Sequence, residues 1–75
     1  MDLDLRDIEL LDALAADGTL TAAAERLFVS QPALSQRLTK MERKLGVPLF
    51  EREGRRLVAN AAGRRMLVAS RQVLA

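Results

Sequence analysis

Apolar residues recur along this chain at helical spacing over most of its length. From Leu5 to Ala16 the residues Leu5, Ile8, Leu11, Leu14 and Ala15 return every three or four positions, which predicts an amphipathic helix with Asp7, Glu9 and Asp12 on its polar face. Gly18 ends it in the left-handed conformation that helix ends favour. A short alanine-rich segment over Thr21–Leu27 predicts a second helix, with Thr19 or Thr21 as a simple cap. Leu27 and Phe28 close it and are expected to fill the angle to the next helix as core. The third helix has a sharper start, because Ser30 can cap it and Pro32 falls in the first turn, where a missing N–H costs nothing. Leu34, Leu38, Met41 and Leu45 form its core stripe. Gly46 and Pro48 stop it.

Two short strands are predicted next, Leu49–Arg52 and Leu57–Val58, about a turn at Glu53-Gly54-Arg55-Arg56. Asn60 then caps a last helix that runs to the end of the chain. Along it Ala62, Met66, Ala69 and Val73 repeat at four-three-four spacing, and Leu67 and Leu74 lie on an adjoining stripe. Two apolar stripes exceed what one small core needs, so this helix is expected to pair with its counterpart in a second chain through Met66, Leu67, Val73 and Leu74. The chain stops without glycine, proline or cap, and so reads as a helix cut short.

Thr19 to Leu45 has the outline of a helix-turn-helix. Ala23 and Ala24 let two backbones approach across a tight turn, and in such motifs the second helix enters the major groove of DNA. Opposite the core stripe of that second helix lie Pro32, Gln36, Thr39 and Arg43, with Ala33, Ser35 and Lys40 at the flanks and Arg37 nearer the core edge. No acidic residue occurs from Gln31 to Thr39, which suits a surface that meets phosphate. The strand pair that follows is a wing with Arg52, Arg55 and Arg56 at or beside its tip.

Charge strengthens this picture. The net charge is only +2, but residues 1–17 hold six carboxylates against Arg6 alone, a balance of −5. The remaining residues hold eleven basic and four acidic groups, a balance of +7. Such segregation predicts a basic face for nucleic acid. With Phe28 and Phe50 as its only aromatics, the chain lacks the stacking platforms of single-strand and RNA binders, so duplex DNA is the expected partner. There is no cysteine or histidine, hence no disulfide, no zinc-finger set and no histidine-based catalysis, and neither a metal nor a cofactor is expected within the chain. No apolar run approaches the roughly 20 residues of a membrane span, and the acidic N-terminus is no secretory signal, so a cytoplasmic protein without membrane contact is expected. At 75 residues the chain makes one small domain, of a size that buries only about 60% of its unfolded surface, which makes dimerisation a natural source of stability.

The sequence resembles the DNA-binding domain of LysR-type transcriptional regulators. The likeness runs through Thr21–Leu27, then Val29-Ser30-Gln31-Pro32-Ala33-Leu34-Ser35, Met41-Glu42, Leu45-Gly46-Val47-Pro48-Leu49-Phe50-Glu51-Arg52 and Ala62-Gly63. Departures fall at Ala22 and Gln36, where the family often has Arg, and at Asn60, where it often has Thr. The resemblance implies a mainly α fold, a winged helix-turn-helix of three helices and a two-stranded β wing over residues 1–59. A linker and dimerisation helix over 60–75 follows. It also implies a homodimer, or a higher oligomer in a full-length protein, and a small-molecule effector bound only by a further C-terminal domain.

On this reading Gln31, Pro32, Ala33, Ser35 and Gln36 reach base edges, and Thr21, Ser30, Thr39, Lys40, Arg43, Arg52, Arg55 and Arg56 hold the backbone or line the wing. Two other binding modules fit the residues: a stand-alone winged-helix repressor, or an interaction module whose basic face meets an acidic protein. An enzyme is not expected, since no nucleophile–base pair, paired buried carboxylates or phosphate loop is found.

Overall fold

The computed structural model describes residues 3–74, with side chains through Gln72. The order of elements is α1 (Leu5–Asp17), α2 (Leu20–Leu27), α3 (Gln31–Leu45), β1 (Phe50–Glu53), β2 (Arg56–Ala59) and α4 (Ala61–Leu74). It is a mainly helical winged helix-turn-helix, as its sequence predicts.

Each helix starts on a side-chain cap. Asp4 accepts from the Asp7 N–H at 2.9 Å and Asp7 in turn accepts from the Asp4 N–H at 3.3 Å, a reciprocal capping box that opens α1. Thr19 caps α2 by accepting from Ala22 N–H at 3.2 Å, and Ser30 caps α3 by accepting from Ala33 N–H at 3.2 Å. Asn60 caps α4 by accepting from Gly63 N–H at 2.9 Å, while its own Nδ2 donates to the Pro48 carbonyl at 2.9 Å.

The core forms where α1, α2 and α3 converge, and Leu10, Leu11, Leu14, Met41 and Leu49 are fully buried in it. The stripe expected on α1 needs two corrections. Leu5 is 56% exposed and Ala15 also faces solvent, whereas Leu10 and Ala13 are buried. Asp7, expected on the solvated face, is buried instead, with its carboxylate turned back to the Asp4 N–H in the capping box. On α3, Leu34, Leu38 and Met41 are buried and Leu45 packs against them, as expected.

Phe28 is the clearest departure. It is not core: it stands 96% exposed, at the αL position that closes α2, with φ +58°. Its N–H bonds back to the Glu25 carbonyl, so the turn geometry of the helix end, not apolar attraction, decides where the ring points. Leu27 beside it does pack against the core.

The two strands pair antiparallel with Phe50 opposite Ala59 and Glu53 opposite Arg56, leaving Gly54 and Arg55 as a two-residue loop. Gly54, at φ +62°, supplies the positive φ that a tight hairpin requires. Three of the described bonds fasten this hairpin and its approach to the helices: Leu57 N–H donates to the Gly18 carbonyl at 2.7 Å, Leu49 N–H to Glu42 Oε2 at 2.6 Å, and Arg64 Nη1 to the Ala59 carbonyl at 2.9 Å.

The last helix lies against α1 and β2. Leu67 is 7% exposed within the core of the single chain and Ser70 is fully buried, its hydroxyl donating to the Leu67 carbonyl at 2.9 Å. Leu67 is therefore not part of an association surface, because its apolar area is already spent inside the monomer. Met66 is half-buried, and the large apolar residue that α4 leaves outside is Val68, 56% exposed. The side chains of Val73 and Leu74 lie outside the described residues.

Candidate nucleic-acid interface

The outward face of α3 follows from its core stripe. With Leu34, Leu38 and Met41 directed inward, the helical repeat turns Gln31, Pro32, Ala33, Gln36, Thr39, Lys40 and Arg43 out, and all seven are exposed. Ser35 is half-buried at the edge of this face. Arg37 is half-buried on the opposite edge, where it lines a groove with Arg6, Glu9 and Ala33. The capping oxygen of Ser30 accepts from Ala33 N–H, so its own proton remains to be given to an anion. Thr39 differs from the other residues expected to hold phosphate. Its hydroxyl donates to the Ser35 carbonyl at 3.0 Å, which leaves only acceptor capacity and makes it a poor phosphate ligand.

Beside the start of α3 lies a polar concavity lined by Thr19, Thr21, Gln31, Arg52 and Arg55, with Leu20 and Leu57 beneath. The N-terminus of α2, the N-terminus of α3 and the wing thus meet at one place. Two helix N-termini, with their positive dipole ends, thus stand beside two exposed arginines, an arrangement matched to the sugar–phosphate edge of a duplex. Thr21 Oγ1 donates to Gln31 Oε1 at 3.3 Å across its floor.

The three wing arginines separate. Arg52 stands opposite Leu57 in the middle of the hairpin and Arg55 stands at the tip. Arg56 turns back over the corner between α1 and α2, where its guanidinium fills the space that a Cβ at Gly18 would need. The sequence groups these residues by proximity to the turn, and only the register distinguishes them.

Several interactions that set the site had no sequence signal. Arg26 grips Asp17 in a bidentate pair, Nε at 2.8 Å and Nη2 at 2.7 Å, locking the end of α1 to α2. The side-chain bond to Arg26 holds the Asp17 carboxyl below its ordinary value of 3.8, and the same bond raises Arg26. The Asp4 carboxyl is likewise lowered, chiefly by the Asp7 N–H. Among the described residues no group of three or more His, Cys, Asp or Glu is placed to hold a metal ion.

A helix with an acid-free outer face, a second helix end beside it and a basic hairpin define a winged helix-turn-helix of the groove-reading class. Residues 5–64 match the family described as bacterial regulatory helix-turn-helix protein, lysR family. This chain belongs to that family. It is 39% identical over 69 residues, 92% of this chain and 23% of the relative, to the HTH-type transcriptional activator CmpR of Synechocystis. It is 43% identical over 74 residues, 99% of this chain and 23% of the relative, to the small neutral protease regulatory protein of Streptomyces coelicolor. The chain thus spans about a quarter of the length of these curated relatives. Its fold superimposes on the crystal structure of a CbnR DNA-binding domain–DNA complex with a TM-score of 0.87 at 38% identity, covering 96% of this chain and 83% of that one.

Proposed function

We propose that this chain binds duplex DNA sequence-specifically as the DNA-binding part of a LysR-type transcription regulator. The observation that carries the reading is the convergence of the acid-free face of α3, the start of α2 and Arg52 with Arg55 on one side of the molecule. Seating α3 in the major groove brings Gln31, Pro32, Ala33, Ser35 and Gln36 to base edges, with Ser30, Lys40 and Arg43 toward phosphate. Arg55 at the hairpin tip, with Arg52 behind it, then reaches the adjacent minor groove or backbone. The likeness to a domain crystallised on DNA supports this placement.

In this reading residues 1–59 are the groove-reading unit, and 60–75 form a linker helix through which two copies associate. Exposed Val68, with the part of Met66 that does not pack on the core, offers the large apolar surface described on this helix for that contact. Regulation by a small molecule would belong to a further domain, as would any higher oligomer, and the site of action is the cytoplasm. No described helix is long and apolar enough to cross a membrane. Its relatives are transcription regulators, and regulation rather than catalysis is the role proposed for this chain.

Fluorescence anisotropy on duplexes selected from a randomised pool tests the proposal. At roughly 150 mM salt, selected duplexes should bind well above scrambled ones. Log affinity should fall linearly with log salt at about −0.9 per phosphate contact, and Lys40→Ala or Arg43→Ala should flatten that slope by about one contact per half-site. Absence of duplex binding, or binding indifferent to salt, would favour an acidic protein as the partner instead.

A further inference from the structure

The hydrogen bond between Thr21 and Gln31 joins the two helices of the motif at the point where the second one starts. Thr21 is the second residue of α2, and the cap of that helix is Thr19, so the Thr21 hydroxyl has no task within its own helix. It donates instead to Oε1 of Gln31, the first residue of α3, at 3.3 Å. Both residues are exposed and both line the concavity that Arg52 and Arg55 close from the wing side. A glutamine side chain on a free helix end samples many rotamers, and its amide can turn either way. The bond from Thr21 restrains that freedom, and with the hydroxyl as donor the Oε1 end of the amide is the one turned toward α2.

We propose that Thr21 is a positioning residue that sets the base preference of Gln31, holding Oε1 toward α2 so that the Nε2 donors face the DNA. The proposal rests on the DNA-binding reading above and deepens it. A glutamine held this way offers donors to the major groove. It meets the acceptors of guanine, N7 and O6, of thymine, O4, and of adenine, N7. Cytosine presents only its N4–H₂ donor there, so a donor-outward Gln31 disfavours cytosine. Thr21 thereby contributes to specificity without itself touching a base.

The test uses the whole 75-residue chain, a randomised double-stranded oligonucleotide pool and competition between the selected duplexes. The base position read by Gln31 is the one whose preference Gln31→Ala relaxes. At that position wild type should reject cytosine, and Thr21→Val, which keeps the shape and loses the hydroxyl, should shrink the rejection roughly fivefold, the share of one neutral hydrogen bond. Thr21→Ser should restore it. In the Gln31→Ala background Thr21→Val should change nothing further. An unchanged cytosine penalty in Thr21→Val overturns the proposal. So does an equal loss on all sequences that adds to that of Gln31→Ala, because it would place the Thr21 hydroxyl on a phosphate. Wild type that binds all duplexes alike, or none, takes down the sequence-specific DNA reading itself, a result that no behaviour of the Thr21 variants can imitate.

Discussion

Gly63→Ala provides a sharp test of how the last helix is seated. On an exposed helix the change would stabilise, since alanine is better than glycine by about 1 kcal/mol in a helix interior. Here the added methyl would fall inside the van der Waals envelope of the Leu49 carbonyl oxygen, 3.1 Å from its carbon and 3.3 Å from Ala59 Cβ. That oxygen cannot simply move aside. It accepts from Asn60 N–H at 3.0 Å, and Asn60 also holds the Pro48 carbonyl and caps α4. Forcing a group into such a site costs about 1–3 kcal/mol, and loosening the Asn60 bond about 1 more. Set against the gain in helix propensity, the net loss is about 1–3 kcal/mol. For a domain of this size each kcal/mol corresponds to roughly 4–8 °C, so a net loss near 2 kcal/mol lowers the melting temperature by about 8–16 °C. Circular dichroism melts of wild type and Gly63→Ala, with Arg65→Ala as an exposed neighbour, measure it. A variant melting at or above wild type would refute the argument from close approach.

Three further outcomes are expected. Phe28→Gly should raise the melting temperature, by the equivalent of about 1 kcal/mol, because it relieves a left-handed non-glycine residue whose ring is almost wholly in solvent; a fall in thermal melts would count against this. Leu67→Ala should destabilise the single chain by about 2–4 kcal/mol in denaturant titration at any concentration, whereas Val68→Glu should leave the monomer fold intact and weaken self-association in sedimentation. For Asp17 the folded pKa lies below the ordinary 3.8, so its contribution is fully present above that value and lost as pH falls through and below it. The difference in melting temperature between wild type and Asp17→Asn, positive near neutral pH, should therefore shrink progressively as the pH is lowered below 3.8.

What the sequence made legible was local. Ser30 and Pro32 marked the start of α3, Asn60 marked the start of α4, and the stripe of Leu34, Leu38 and Met41 set which face of α3 points outward. Each is a signal within one or two turns of helix. On α1 the adjacent Leu10 and Leu11 allow two registers of the apolar stripe, and only packing against α2 and α3 selects the one that exposes Leu5 and buries Ala13. Asp4 and Asp7 do stand at capping-box spacing, a signal present in the sequence but masked by reading Asp7 as one of several surface acids. Phe28 was hidden for a different reason, since residue type argues for burial while the αL closure of α2 argues for exposure, and backbone geometry wins. Leu67 illustrates the limit of counting stripes: periodicity identifies two apolar faces on α4 but not which of them the single chain consumes. The pairs Arg26–Asp17, Glu42–Leu49 and Thr21–Gln31 join positions seven to ten apart across turns, where no repeat announces them.

The main-chain bond from Leu57 to Gly18, with Arg56 laid over the same corner, has a mechanical consequence. It pins the base of the hairpin to the junction of α1 and α2, so the fold itself sets the resting gauge between Arg55 at the tip and Gln36 on α3. A hinged wing could follow whatever groove it met. In the proposed complex a wing held at this corner has less latitude, and more of any mismatch in groove width falls to the duplex. Flexible steps such as TA and CA would adapt at little cost, and stiff A-tracts only where their narrow groove already fits the gauge. The part of the operator lying between the two contacts would then be selected by its compliance, at base pairs that no side chain reaches.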